Sequence, residues 1–171
     1  EVKTILTKKG MAATVAKLEN EIDTEKVNLG LKVHGQRHVK NVTLFSGLIG
    51  QQVLANDDLK LVLIAAKYHD VGRTTEGSQE HAKASAQIAE SRLNQICTPK
   101  EIAIIKTIIE FHEINRNSTY DYFKDFALKN GISEEELPRV RQMAEVLKDA
   151  DALDRTRFIN NARLKPELLA F

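Results

Sequence analysis

The sequence predicts an all-α, single-domain fold, and three observations support this. The apolar residues of this 171-residue chain recur at intervals of three or four positions rather than two. No run of Val, Ile and Thr alternates with polar residues over the length of a strand. The chain has only 8 Gly and 3 Pro, so residues that interrupt helices are few. We therefore expect one helical bundle over residues 1–171 that buries a single hydrophobic core.

The first three helices are predicted from apolar stripes and from one cap. Residues 10–21 and residues 36–54 each carry a single apolar stripe at helical spacing. Asn56 is expected to cap a third helix over residues 57–69, whose first turn holds two carboxylates, as the helix dipole favours. This third helix is apolar nearly all round, so we expect it at the centre of the bundle.

The later helices are predicted mainly from their first residues. Ser78 is expected to cap a fourth helix that ends near Ile96. In Thr98-Pro99-Lys100-Glu101, a capping threonine, a proline at the first helical position and a capping-box glutamate coincide, so a fifth helix begins there and reaches His112. Two more helices are expected over residues 120–130 and 137–153.

The placement of the histidines suggests a metal site. A single helical histidine is more often a surface residue or a hydrogen-bonded core residue than a ligand. Several histidines here, however, share a helical face with apolar residues and so point to the interior of one small domain. Burying each alone would cost about 1–3 kcal/mol, which a shared metal ion would remove. The chain has five histidines, namely His34, His38, His69, His81 and His112.

An acidic cluster near the end of the last helix contains a further candidate ligand. Asp151 follows Leu147 by four residues and lies on the buried stripe, where a carboxylate needs a counter-charge or a metal. The same periodicity turns Asp149 towards water and gives Asp154 an intermediate position. We therefore expect Asp151 to be a ligand and Asp154 to support one.

Three segments together resemble the HD superfamily of metal-dependent phosphohydrolases. His34-Gly35-Gln36-Arg37-His38-Val39 is similar to its opening segment, and Lys67-Tyr68-His69-Asp70-Val71-Gly72-Arg73 is similar to its central signature. Leu147-Lys148-Asp149-Ala150-Asp151-Ala152-Leu153-Asp154 is similar to its closing aspartate helix. The resemblance covers about residues 31–160 and implies an HD-type helical bundle with a metal site between helices.

The resemblance also implies the ligand set. The four core ligands that it implies are His38, His69, Asp70 and Asp151. His81 and His112 resemble the additional histidines of HD proteins that hold two metals, so we expect two ions with Asp70 bridging them. The alternatives are that His81 and His112 contact substrate phosphate, or that they only cap and pack. The expected cofactor is one or two divalent ions of Mn, Fe, Zn, Co or Ni, with Mg as a further candidate.

The expected reaction is hydrolysis of a phosphate ester or anhydride in a small nucleotide substrate by metal-activated water. Asp70 is expected to accept the proton of that water, and Arg73 to grip phosphate, because guanidinium matches phosphate bidentately. Lys67, Arg37 and His34 are further candidates for substrate contact. The alternative is a non-catalytic HD domain that binds a nucleotide or a metal as a sensor or scaffold.

Composition restricts the partners and the compartment. The net charge of +1 argues against nucleic acid as a partner. The longest apolar run, Leu61–Ala66, is far shorter than the roughly 20 residues of a membrane span. The single cysteine, Cys97, excludes an internal disulfide and fits a reducing cytoplasm. The chain begins without Met, so we expect it to be a segment of a longer protein, and its oligomeric state stays open.

Overall fold

The computed structural model describes residues 31, 33–75, 80–114 and 120–154. Those ranges contain six α-helices, one short 3-10 helix and no strand, which confirms the all-α prediction. None of these helices has both the length and the apolar character needed to cross a bilayer. The helices are α1 (Gln36–Val53), α2 (Asn56–Tyr68), α3 (His81–Leu93), α4 (Pro99–His112), α5 (Tyr120–Lys129) and α6 (Leu137–Asp154).

The core lies where α2, α4 and α6 meet. The α6 helix packs against α1, α2 and α4, and α3 packs against α4. Both α2 and α4 are buried on more than one side, as expected for helices in the centre of a bundle. The largest fully buried side chains of α4 are those of Ile104, Ile105, Ile108 and Ile109. Burying each of them stabilises the fold by about 1.5–3 kcal/mol.

The capping box at the start of α4 is present as predicted. The Thr98 hydroxyl accepts a hydrogen bond from the Glu101 backbone N–H at 3.3 Å, and the Glu101 carboxylate accepts one from the Thr98 N–H at 2.8 Å. These two bonds satisfy backbone donors that a helix start otherwise leaves unpaired. The sequence signal therefore identified this helix start to the residue.

Two other helix boundaries were predicted wrongly. Asn56 is the first residue of α2 and not its cap, because the Ala55 carbonyl accepts from the Leu59 N–H at 2.9 Å and draws Asn56 into the first turn. The α3 helix ends at Leu93 rather than near Ile96, which is 77% exposed and so contributes nothing to the core. The helix expected over residues 10–21, the expected cap Ser78 and residues 155–171 lie outside the described residues.

The loop after α2 lies directly on α3. The Gly72 backbone N–H donates to the Ser85 hydroxyl at 2.9 Å. A Cβ atom at Gly72 would lie 2.5 Å from the Ser85 backbone N and 2.7 Å from the Ala84 Cβ, so no side chain fits here. This close approach brings the end of α2 next to the start of α3, where His69 and His81 are located.

Candidate metal centre

Four histidines meet because each lies at or near a helix end. His38 is in the first turn of α1, His69 directly follows α2, His81 begins α3 and His112 ends α4. Their side chains are buried. The ring centroids of His38 and His69 are 5.1 Å apart, those of His69 and His112 are 5.0 Å apart, and those of His81 and His112 are 5.3 Å apart. The fold thus gathers imidazoles from separate helices into one group.

Two of these rings are oriented by backbone carbonyls. His69 Nδ1 lies 2.7 Å from the Ala66 carbonyl oxygen, and His112 Nδ1 is hydrogen-bonded to the Ile109 carbonyl oxygen. Because a carbonyl only accepts, Nδ1 must carry the hydrogen in both rings. In the neutral tautomer, the Nε2 atom of each ring therefore presents a lone pair.

The other two rings are oriented by carboxylates. His38 Nδ1 lies 2.6 Å from the Asp154 carboxylate, which also accepts from the Asn41 side-chain amide at 2.7 Å. His81 Nδ1 lies 3.2 Å from the Glu113 carboxylate. Such an acceptor behind a histidine fixes the ring and makes its opposite nitrogen a better metal ligand.

All four Nε2 atoms face Asp70, which is 1% exposed. One carboxylate oxygen, Oδ2, lies 3.4 Å from His38 Nε2 and 3.7 Å from His69 Nε2. The other oxygen, Oδ1, lies 3.0 Å from His81 Nε2 and 3.8 Å from His112 Nε2. Each oxygen of Asp70 therefore faces a different pair of histidines, which is the arrangement that a bridging carboxylate requires.

The donor set fits a divalent cation. The Nε2 atoms of His38 and His69 are 3.0 Å apart, so two lone pairs would face each other unless a proton or a metal lay between them. Asp151 adds an oxygen at 3.3 Å from His38 Nε2. Among the described residues, His38, His69 and Asp151 have ligand atoms within 4.8 Å of one another, and so do His69, Asp70 and His112. Neutral imidazole with carboxylate suits first-row transition metals.

His38 lies at a position that favours positive charge. Burial opposes the charged imidazolium, but hydrogen bonds to Asp154 and Asp70 and the charge of Asp151 outweigh burial and raise the pKa of His38 to about 9. A metal ion that binds here therefore replaces a proton on His38 at neutral pH.

Two further histidines and Asp70 have shifted pKa values that suit metal ligands. Burial, with the charge of neighbouring His69, lowers the pKa of His112 to about 4, and burial also lowers the pKa of His69. Both rings are thus neutral at physiological pH and able to bind a metal. Burial raises the pKa of Asp70, but the surrounding histidines outweigh that effect and hold it well below its usual range.

The structure brings Arg73 and His34 to this group as well. Arg73 Nη2 lies 2.7 Å from His81 Nε2, and Arg73 Nε lies 3.3 Å from Asp70 Oδ1. The His34 and His38 ring centroids are 5.2 Å apart. The two other predicted substrate contacts are Arg37, which is exposed on α1, and Lys67, which is half-buried with its Nζ 6.0 Å from the centre of the Tyr68 ring.

Two residues that help to build the centre were not singled out from the sequence. Glu113 contacts His81 Nδ1, and its carboxylate also accepts from the Ala82 N–H at 3.4 Å. Asn41 binds Asp154 from one turn along α1. Their closeness in sequence to predicted histidines could have identified them, because Glu113 follows His112 and Asn41 lies three residues after His38.

The prediction that Asp149 faces water is wrong. Asp149 is 1% exposed, because α6 is covered by α1, α2 and α4 and keeps little of its surface in solvent. Lys148 beside it is also buried, with Nζ bonded to the Ile114 carbonyl and 4.3 Å from the centre of the Phe111 ring. Asp154 is buried rather than intermediate, and the Asp151 side chain is 14% exposed.

Comparison with known protein families gives a match that covers most of this chain. The family model of the HD domain matches residues 35–156. This range contains Asp70, four of the five histidines and the two aspartates at the end of α6 that contact His38. No curated protein and no solved structure matches the chain.

Proposed function

Because this chain belongs to the HD-domain family, we propose that it is a metal-dependent phosphohydrolase, which cleaves an ester or anhydride of a small phosphorylated substrate. One observation carries the proposal: four histidine Nε2 atoms face the two oxygens of one buried aspartate, Asp70. Behind each histidine, the Nδ1 atom already faces an acceptor. A packed core has no need of four such rings, whereas a metal does.

The donor atoms indicate which residues would hold an ion. His38, His69 and Asp151, with the Oδ2 side of Asp70, form the first group of candidate ligands. His112 and the Oδ1 side of Asp70 offer a second position, to which His81 is adjacent. A bound divalent ion would lower the pKa of a water molecule and neutralise charge on phosphoryl oxygens. The mixture of imidazole and carboxylate accepts Mn, Fe, Zn, Co or Ni, and Mg is a weaker match.

Asp70 would act as an ionised ligand that orients the attacking water. Its pKa lies well below the usual range because of the histidines around it, so the carboxylate is charged at neutral pH. A carboxylate whose pKa is lowered accepts a hydrogen bond but is a weaker base. We therefore assign Asp70 to binding and orientation, with proton acceptance as the smaller part of its role.

Arg73 is the best-placed group for contacting phosphate. Its guanidinium lies beside Asp70 Oδ1 and His81 Nε2, so a phosphoryl group that reaches the centre would meet it. Guanidinium binds two phosphate oxygens at once, which fixes their orientation. His34 stands beside His38 at the same centre, while Arg37 and Lys67 remain candidates for more distant parts of the substrate.

We further propose a nucleotide as the substrate and the cytoplasm as the compartment. The net charge of +1 gives no extended field for a polyanion, which favours a small phosphorylated molecule. The single cysteine fits a reducing compartment.

The experiment compares two aspartate variants after metal exchange. The purified chain is stripped with a chelator and reloaded with Mn²⁺, and hydrolysis of bis(p-nitrophenyl) phosphate, p-nitrophenyl phosphate and a set of nucleotides is measured. Asp70→Asn keeps the shape of the side chain but removes its charge, and we expect it to lose metal and turnover together. Asp121→Asn, an exposed carboxylate in the first turn of α5, is the matched control and should keep both.

The outcomes separate the proposal from its alternative. A wild-type chain that binds Mn²⁺ and hydrolyses none of these substrates would favour the sensor or scaffold function. A wild-type chain that binds none of the transition metals would contradict the metal centre itself.

A further inference from the structure

The side chain of Arg73 lies inside the metal centre rather than at its rim. It is 11% exposed, and its Nη2 atom is 2.7 Å from His81 Nε2. Its Nε atom is 3.3 Å from Asp70 Oδ1. The guanidinium thus contacts the two atoms that a second ion would need from Asp70 and His81.

The lone pair of His81 Nε2 serves only one cation at a time. In the tautomer that carries its hydrogen on Nδ1, which lies 3.2 Å from the Glu113 carboxylate, this ring accepts at Nε2. If Arg73 donates to Nε2, a metal ion cannot use the same lone pair.

The main chain keeps Arg73 at this position. Its backbone N–H donates to the Asp70 carbonyl at 3.0 Å, and the preceding Gly72 is fixed to Ser85 on α3. A guanidinium also stays protonated under all conditions in which a protein is folded. The positive charge can therefore leave the centre only if the side chain rotates away.

We propose that the guanidinium of Arg73 takes the place of a second divalent ion, so that the centre holds one ion on the side of His38, His69 and Asp151. This inference rests on the proposed function, because it presumes that the first ion binds. It makes Arg73 the residue that sets the metal count, since the ion and the guanidinium exclude each other at Asp70 Oδ1 and His81 Nε2.

Metal content per chain tests this inference without reference to activity. The stripped chain is dialysed against Mn²⁺, and bound metal is measured by plasma mass spectrometry, with electron paramagnetic resonance to detect coupling between neighbouring ions. We expect one ion in the wild-type chain and in Arg73→Lys, which keeps the charge. Arg73→Ala should bind two ions with a coupled signal, and Arg73→Ala combined with His81→Ala should return to one.

Each result decides between two explanations. Two ions in the wild-type chain would overturn the inference, and this measurement does not depend on how well any variant folds. One ion in a folded Arg73→Ala chain, two in Arg73→Lys or two in the double variant would overturn it as well, while the proposed function would stand. No ion in the wild-type chain would instead contradict the proposed function.

Discussion

Replacement of Gly72 by alanine tests how the loop after α2 is joined to α3. The new Cβ would lie 2.5 Å from the Ser85 backbone N and 2.8 Å from the Ala84 carbonyl carbon. These are backbone atoms of a packed helix, so they cannot rotate out of the way. The loop must therefore separate from α3, and the 2.9 Å hydrogen bond from the Gly72 N–H to the Ser85 hydroxyl is expected to break.

The expected loss of stability follows from three contributions. Overpacking costs about 1–3 kcal/mol, and the lost hydrogen bond costs about 0.5–1.5 kcal/mol. Alanine restricts the unfolded chain more than glycine does, which offsets about 0.4–1 kcal/mol of the lost stability. We expect Gly72→Ala to lower the free energy of unfolding by about 2 kcal/mol, which corresponds to a Tm about 4–8 °C lower for a domain of this size.

Gly50→Ala is the matched control. A Cβ at Gly50 would lie 2.7 Å from the Cδ1 atom of Leu59 and 3.3 Å from that of Leu54. Both are the ends of flexible side chains, and alanine is favoured over glycine inside a helix by about 0.5–1 kcal/mol. This variant should therefore stay within about 1 kcal/mol of the wild-type chain.

Urea denaturation followed by circular dichroism measures both variants. A free energy of unfolding for Gly72→Ala within about 0.5 kcal/mol of wild type, the range of ordinary surface substitutions, would refute the reasoning. Equal losses of unfolding free energy in Gly72→Ala and Gly50→Ala would refute it too. It would then make no difference whether the new Cβ meets backbone atoms or flexible side chains.

Three further predictions concern the support of His38 and the start of α4. Asp154→Ala removes the acceptor behind His38, so Mn²⁺ affinity measured by chelator competition should fall about 10–100-fold, whereas Asp125→Ala, at an exposed site on α5, should leave it unchanged. Unchanged affinity in Asp154→Ala would show that this acceptor is not needed. Thr98→Ala should lower the free energy of unfolding by about 1 kcal/mol at neutral pH. The backbone and hydroxyl of Thr98 hold the pKa of Glu101 below its usual value. The difference in unfolding free energy between wild type and Glu101→Ala should therefore be largest at neutral pH and shrink as the pH falls through that lowered pKa. A difference that is constant with pH would contradict this.

The helices could be predicted because their signals are local. Apolar spacing and capping chemistry involve residues within one or two turns, and the start of α4 at Thr98 is the clearest example. The error at Asn56 is one position, because the Ala55 carbonyl already accepts the first hydrogen bond of α2. The error near Ile96 arises where the boundary depends on packing. Nothing in the sequence around Ile96 shows that its side chain is 77% exposed, and only the assembled bundle does.

The sequence predicted which residues lie together in the candidate metal centre, but it did not predict their contacts. That these residues bind a metal stays a prediction. The His-Asp order and the apolar faces pointed to Asp70 and to the histidines that the structure brings together. The position of Arg73 depends on how the loop after α2 folds onto α3, and spacing along the sequence carries no information about that. The contact between Glu113 and His81 could not be predicted for the same reason, because it joins the end of α4 to the start of α3.

The acidic end of α6 shows why a helical stripe is an incomplete guide to burial. Periodicity defines a buried face relative to one neighbour, whereas α6 has α1, α2 and α4 around it. Asp149 is consequently buried against expectation, and Asp154 is more deeply buried than Asp151. The difference in depth separates the expected roles of the last two residues. Asp154, enclosed behind His38 Nδ1, can only orient that ring, whereas Asp151, on the Nε2 side and 14% exposed, lies where a ligand that enters from solvent would reach it.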